Sequence, residues 1–137
     1  MNAEAQRVYR PVNGSEDGWT PLYQTARFGH KEVAELLIAS SADVNAKDKS
    51  GRTALHIAAN WGRKEVAELL ITNGTEVNTN DDVGKTPLDW ANARRQTETT
   101  DLLRKHGGKT GEELKADGIR LFLLRLSCRQ RVVTMFI

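Results

Sequence analysis

Thr20, Thr53 and Thr86 stand 33 residues apart. Gly18, Gly51 and Gly84 keep the same step, as do Leu22, Leu55 and Leu88 and the pairs Leu36-Leu37, Leu69-Leu70 and Leu102-Leu103. Laying Gly18–Asn45 on Gly51–Asn78 gives 15 identities in 28 positions, far above chance. A fixed period of this length restricts the fold severely. Each period is one supersecondary unit that cannot bury its apolar face alone, so successive units must stack and share a continuous core. At 137 residues the chain has room for one such domain.

Each unit reads the same way physically. The threonine is a helix N-cap, its hydroxyl placed to accept from an orphan backbone N–H. Pro21 and Pro87 follow at the first helical position, where a missing N–H costs nothing. A short helix is predicted over 22–28 and 55–61, ended by Gly29 and Gly62, which supply the left-handed backbone of a helix C-terminus. A second helix is predicted over 31–39 and 64–72. Val33, Leu36 and Leu37, and then Val66, Leu69 and Leu70, recur there at helical spacing. Polar stretches at 40–50 and 73–82 link one unit to the next.

This pattern resembles the ankyrin repeat. The middle unit reads Thr53-Ala54-Leu55-His56-Ile57-Ala58-Ala59-Asn60-Trp61-Gly62 and ends Gly74-Thr75-Glu76-Val77-Asn78. The first has Thr20-Pro21-Leu22-Tyr23 and ends Ala42-Asp43-Val44-Asn45, and the third opens Thr86-Pro87-Leu88-Asp89. The resemblance implies an all-α ankyrin-repeat solenoid. Its three stacked helix-turn-helix units (15–47, 48–80 and 81–109) would be joined by hairpin-like loops. Only His56 keeps the family's histidine; with Tyr23 and Asp89 in its place, the inter-repeat hydrogen bond from this position is expected at His56 alone. Arg95 replaces the inter-helix glycine of the third unit. A left-handed L-residue costs about 1 kcal/mol, so a differently built turn is expected there. Thr99, Thr100 and Arg104 stand where the middle unit has Val66, Ala67 and Ile71. A polar outer face of this kind suits a terminal repeat.

Residues 1–14 read as a polar N-terminal extension. Thr110 and Glu113 form a capping-box pattern that predicts a short helix over 111–117, folded back on the third unit, within a segment bounded at 110–118. The tail 119–137 is basic and apolar, with four arginines and no acidic residue. Three readings of it stand: a loosely docked end, a strand or helix packed on the stack, or a basic amphipathic segment that meets a membrane surface or a partner.

The remaining signals mostly exclude. Twenty basic against 18 acidic residues give a net charge of +2, which does not point to nucleic acid for the chain as a whole. Cys128 is the single cysteine, so no internal disulfide can form. The opening residues lack a signal peptide's apolar core, and no run of 18 apolar residues makes a transmembrane segment; a cytoplasmic, monomeric protein is expected. Two Gly-Lys-Thr triplets, at 84–86 and 108–110, lack the further glycine of a phosphate-binding loop, since Thr79 and Leu103 stand there. His30, His56 and His106 fall at three different repeat positions with no carboxylate or thiol at ligand spacing. No catalytic set, metal or cofactor is expected. Asn13 and Asn73 match the glycosylation pattern but read as idle without a signal sequence; Asn73-Gly74 is turn chemistry.

The expected function is therefore a non-enzymatic protein–protein interaction or scaffolding module. In the ankyrin family, contact residues lie just before the repeat threonine and just before the inter-helix glycine, on a concave face of linker tips and first helices. That implies Glu16, Asp17, Trp19, Arg27 and Phe28 in the first unit. It implies Lys49, Ser50, Arg52, Asn60 and Trp61 in the second, and Asp82, Val83, Lys85 and Arg94 in the third. Among these, Trp19, Arg27, Phe28, Lys49, Arg52, Asn60, Trp61, Lys85 and Arg94 are the candidate partner-binding residues, because aromatic rings and arginine are enriched at interfaces. The competing reading of the three rings is that they fill space beside the helices. Trp90, at the position of Ile57, reads as core. The alternative function is a regulatory fragment whose basic C-terminal tail contacts a membrane surface or nucleic acid.

Overall fold

A computed structural model describes residues 18–135, with side chains as far as Leu126. The N-terminal extension, Glu16 and Asp17 lie outside the described residues. Seven helices and no strand occur in that span. They are α1 (Pro21–Phe28), α2 (Lys31–Ala39), α3 (Ala54–Asn60), α4 (Lys64–Thr72), α5 (Pro87–Ala93), α6 (Thr97–Lys105) and α7 (Gly111–Met135). The first six form three antiparallel pairs. First helices pack on first helices and second helices on second helices, so the stack has two helical layers.

The elements form for the reasons their residues dictate. Thr20 and Thr86 accept, through their hydroxyls, from the backbone N–H of Tyr23 at 3.1 Å and Asp89 at 3.3 Å. Pro21 and Pro87 begin their helices. The core is a ladder of small and branched residues: Leu22 and Ala26, then Leu55, Ala58 and Ala59, then Leu88 and Ala91, backed by Ala34, Ala67, Leu70 and Leu103. Alanines in the first helices let neighbouring units approach closely. Each buried leucine is worth about 2 kcal/mol relative to exposure.

The linkers close as hairpin-like loops. Asp48 N–H donates to Arg52 O at 2.9 Å and Asp81 N–H to Lys85 O at 2.9 Å. The two tips then meet, Asp82 N–H donating to Ser50 O at 3.0 Å. The loop feet are joined by Asn45 and Asn78. Asn45 accepts from Glu76 N–H at 3.0 Å, and Asn78 accepts from Lys109 N–H at 2.7 Å while donating to Gly107 O at 3.0 Å.

Three sequence expectations about the repeats are corrected. The turn at Arg95 is not rebuilt: Arg95 takes φ 55°, beside 74° at Gly29 and 66° at Gly62. The reason lies in the next unit. A Cβ on Gly29 would fall 2.8 Å from Arg63 Cδ, and one on Gly62 would collide with the Gln96 carboxamide. Among the described residues no further unit packs over Arg95, which is exposed, so its side chain has space and only the backbone strain remains. The inter-repeat hydrogen bond is likewise not confined to His56. Tyr23 Oη donates to Asp48 Oδ2 at 2.9 Å, and Asp89 Oδ2 accepts from Gly111 N–H at 2.8 Å. Finally, Trp90 is not core. Ile57 is buried, whereas Trp90 is half-buried and donates from its indole to Asp81 Oδ2 at 3.0 Å.

The capping box forms as its residues predict, with Glu113 N–H on Thr110 Oγ1 at 3.2 Å and Thr110 N–H on Glu113 Oε2 at 3.0 Å. The helix it starts does not stop at 117 but runs to Met135. Its first turn docks on the polar face of α6 through a bidentate Arg104–Glu113 pair at 2.7 and 2.9 Å. The Arg104 guanidinium and the Thr110 N–H hold the Glu113 carboxyl down at about 2.

Candidate protein-binding face

The C-terminal ends of the first helices lie next to one another along the stack. Arg27 is half-buried at the end of α1, and its guanidinium sits 5.4 Å from the centroid of Phe28 and 5.6 Å from that of Trp61. One cation thus ties two rings from two units into one patch, at a separation where cation–π attraction is worth about 0.5–1 kcal/mol. Phe28 and Trp61 remain 55% and 44% exposed, so neither ring is a core residue. The same line continues into the third unit, where Arg94 Nε donates to Asn60 Oδ1 at 3.0 Å.

The floor beneath this line is fixed by residues that sequence reasoning missed. Arg63 Nε donates to the Arg27 carbonyl at 3.2 Å, and Gln96 Nε2 to the Asn60 carbonyl at 3.3 Å. Both satisfy a carbonyl that a helix end leaves without an intrahelical partner. Their signal was available as a long polar residue just after the left-handed residue between the two helices, at positions 63 and 96.

The linker tips form the other border. Asp48 accepts from Ser50 N–H at 2.8 Å, Arg52 N–H at 2.9 Å, Arg52 Nε at 3.1 Å and Tyr23 Oη at 2.9 Å. Burial alone pushes the Asp48 carboxyl up. The N–H donors of Arg52 and Ser50, with the Tyr23 hydroxyl and the Arg52 charge, outweigh it and hold the group below the usual carboxylate range. Burial, and then the carboxylate beside it, push the Tyr23 phenol well above its ordinary value, so it stays a donor. Asp81 repeats the device, accepting from Val83 N–H at 3.0 Å and Lys85 N–H at 2.8 Å. An aspartate three residues before the tip glycine, at 48 and 81, was the legible sign.

His56 lies under the tips and is fully buried. Its Nδ1 accepts from Thr53 N–H at 3.0 Å, which leaves the proton on Nε2 to be donated to the Lys85 carbonyl at 3.0 Å. Burial holds this imidazole below its ordinary pKa and therefore neutral.

The candidate residues therefore divide. Arg27, Phe28, Asn60, Trp61 and Arg94 come together along the first-helix ends. Lys49 and Lys85 are exposed on the tips, while Arg52 is half-buried and committed to Asp48. Trp19 is half-buried, packs against the core and stacks on Tyr23 with centroids 5.1 Å apart. Among the described residues no group of three His, Cys, Asp or Glu side chains could hold a metal ion.

A family model described as ankyrin repeats, in three copies, matches residues 3–81 and 47–113. A stretch of 36 residues is 56% identical to part of a mouse (Mus musculus) protein, the fibronectin type 3 and ankyrin repeat domains 1 protein. The match covers 26% of this chain, which spans 10% of that protein's length.

Proposed function

Because the chain belongs to the ankyrin-repeat family, we propose that it is a non-enzymatic module that binds a protein partner through the concave face of its stack, along the first-helix ends. The observation that carries this reading is the exposed Phe28–Arg27–Trp61 patch, two rings from different units held by one guanidinium. The Arg27 guanidinium, shared by both rings, favours one arrangement of the patch, which limits the side-chain freedom lost on binding. Five of the nine candidate residues lie on that line. On the line itself the charges are the guanidinium groups of Arg27 and Arg94, which suits a partner segment carrying an apolar side chain beside acidic ones.

A photocrosslinking pair tests this. Benzoylphenylalanine placed at Phe28 should give a discrete crosslinked product in extract of the source cells, and the same probe at Glu68, exposed on α4, should give none. A product from position 68 with none from position 28 would put the binding face on the second-helix layer instead.

A further inference from the structure

We propose that the distal part of α7 docks on an anionic phospholipid surface. The helix divides by charge. Its acidic residues, Glu112, Glu113 and Asp117, all lie in its first two turns. There Glu113 pairs with Arg104 and Asp117 with Lys109. Beyond Gly118 the chain has arginines and no acidic residue. The same stretch carries an apolar surface that nothing in the stack covers. Ile119, Phe122, Leu123 and Leu126 are 61%, 61%, 57% and 43% exposed.

At about 100° per residue these four side chains fall within an arc of roughly 100°. Arg120 and Arg125 lie about 60° outside its two edges. An apolar stripe bordered by arginines on both sides suits a helix lying in a membrane interface. The stripe enters the acyl boundary and the guanidinium groups stay with lipid phosphates. Leu121 and Leu124, on the opposite arc, are also exposed, so apolar surface flanks both arginines, whose long stems reach past it toward the headgroups.

Charge complementarity selects this occupant. Two copies packed stripe to stripe would bring arginines together with no acidic residue beyond Gly118 to neutralise them. A nucleic acid would satisfy the arginines and leave the apolar stripe in water. An anionic lipid surface satisfies both. No helix among the described residues is long and apolar enough to cross a membrane, which leaves surface docking. The inference does not depend on the first-helix line and uses none of its residues.

Flotation of the full chain with vesicles tests it. The chain should bind phosphatidylcholine vesicles containing phosphatidylserine, should not bind phosphatidylcholine alone, and should release as salt is raised. Each arginine near an anionic surface strengthens binding about fivefold, so Arg120→Gln with Arg125→Gln should weaken it about thirtyfold. Phe122→Ser with Leu126→Ser should abolish it. Both double variants should keep the wild-type melting curve, because the residues changed are exposed. Failure to float with anionic vesicles would overturn the proposal. So would equal binding to neutral vesicles, or a concentration-dependent dimer in sedimentation that Phe122→Ser with Leu126→Ser dissolves.

Discussion

At the scale of single residues, the stack is held by polar side chains that each serve two units. His56, Tyr23 and Asp89 occupy the same repeat position and all three bridge, yet with different chemistry. Imidazole reaches a carbonyl, phenol reaches a carboxylate, and a carboxylate reaches the N–H of the next helix. Sequence reasoning saw the loss of histidine and expected the loss of the bond. It erred because the position requires reach and a polar end, which residue identity alone does not reveal. His56 gives a pH test. Its folded pKa lies below the unfolded value of about 6.5. Below that pH the unfolded chain takes up a proton that the folded one refuses, so stability is complete above 6.5 and falls as pH drops beneath it. Melting temperature should decline between pH 7 and 5, and His56→Gln should flatten that slope while lowering stability throughout. An undiminished slope in the variant would place the titration elsewhere.

At the scale of elements, helix boundaries were legible where caps and glycines mark them. The second helices run over 31–39 and 64–72 as the apolar spacing predicts. Legibility failed at α7, because its capping box marks a start, whereas Gly118, just past the predicted end, sits inside the helix without a left-handed backbone and does not break it. Backbone strain is also distributed by element. The middle unit has glycine at both left-handed turns, Gly62 and Gly74, while the outer units place Ser41 at φ 69° and Arg95 at φ 55°. Arg95→Gly should relieve about 1 kcal/mol of strain, partly offset by glycine's larger unfolded entropy. For a domain of this size that raises the melting temperature by up to about 4–8 °C. Arg95→Ala keeps the strained φ and should show no such gain. Equal melting temperatures for the two variants would mean the turn stores no strain. A chain ending at Gly118 should lose only the helical circular dichroism of the removed part of α7 and should keep cooperative melting, because the side chains described beyond that point are exposed. Unfolding on truncation would make the tail part of the core.

At the scale of the whole molecule, the 33-residue period made the fold readable before any coordinate, since it fixes unit length, stacking and core together. The candidate face was readable only in part. The period locates the first-helix ends and the linker tips, but it cannot tell a ring that stays exposed from one that turns inward. Trp61 and Trp19 both precede a marked repeat residue, yet Trp61 meets Arg27 at the surface while Trp19 lies over Tyr23. The central claim is that partner binding depends on the exposed line of first-helix ends. Its most direct measurement is quantitative affinity capture with the wild type, Trp61→Ala and Glu68→Ala, at a temperature where all three are folded. Trp61 is half exposed, so its truncation should cost about 1–2 kcal/mol of stability, short of the 3–5 typical of a buried tryptophan. A hot-spot tryptophan contributes about 2 kcal/mol or more to binding. The account predicts a partner retained by the wild type and by Glu68→Ala and weakened more than tenfold by Trp61→Ala. A partner retained equally by Trp61→Ala and lost with Glu68→Ala would contradict it.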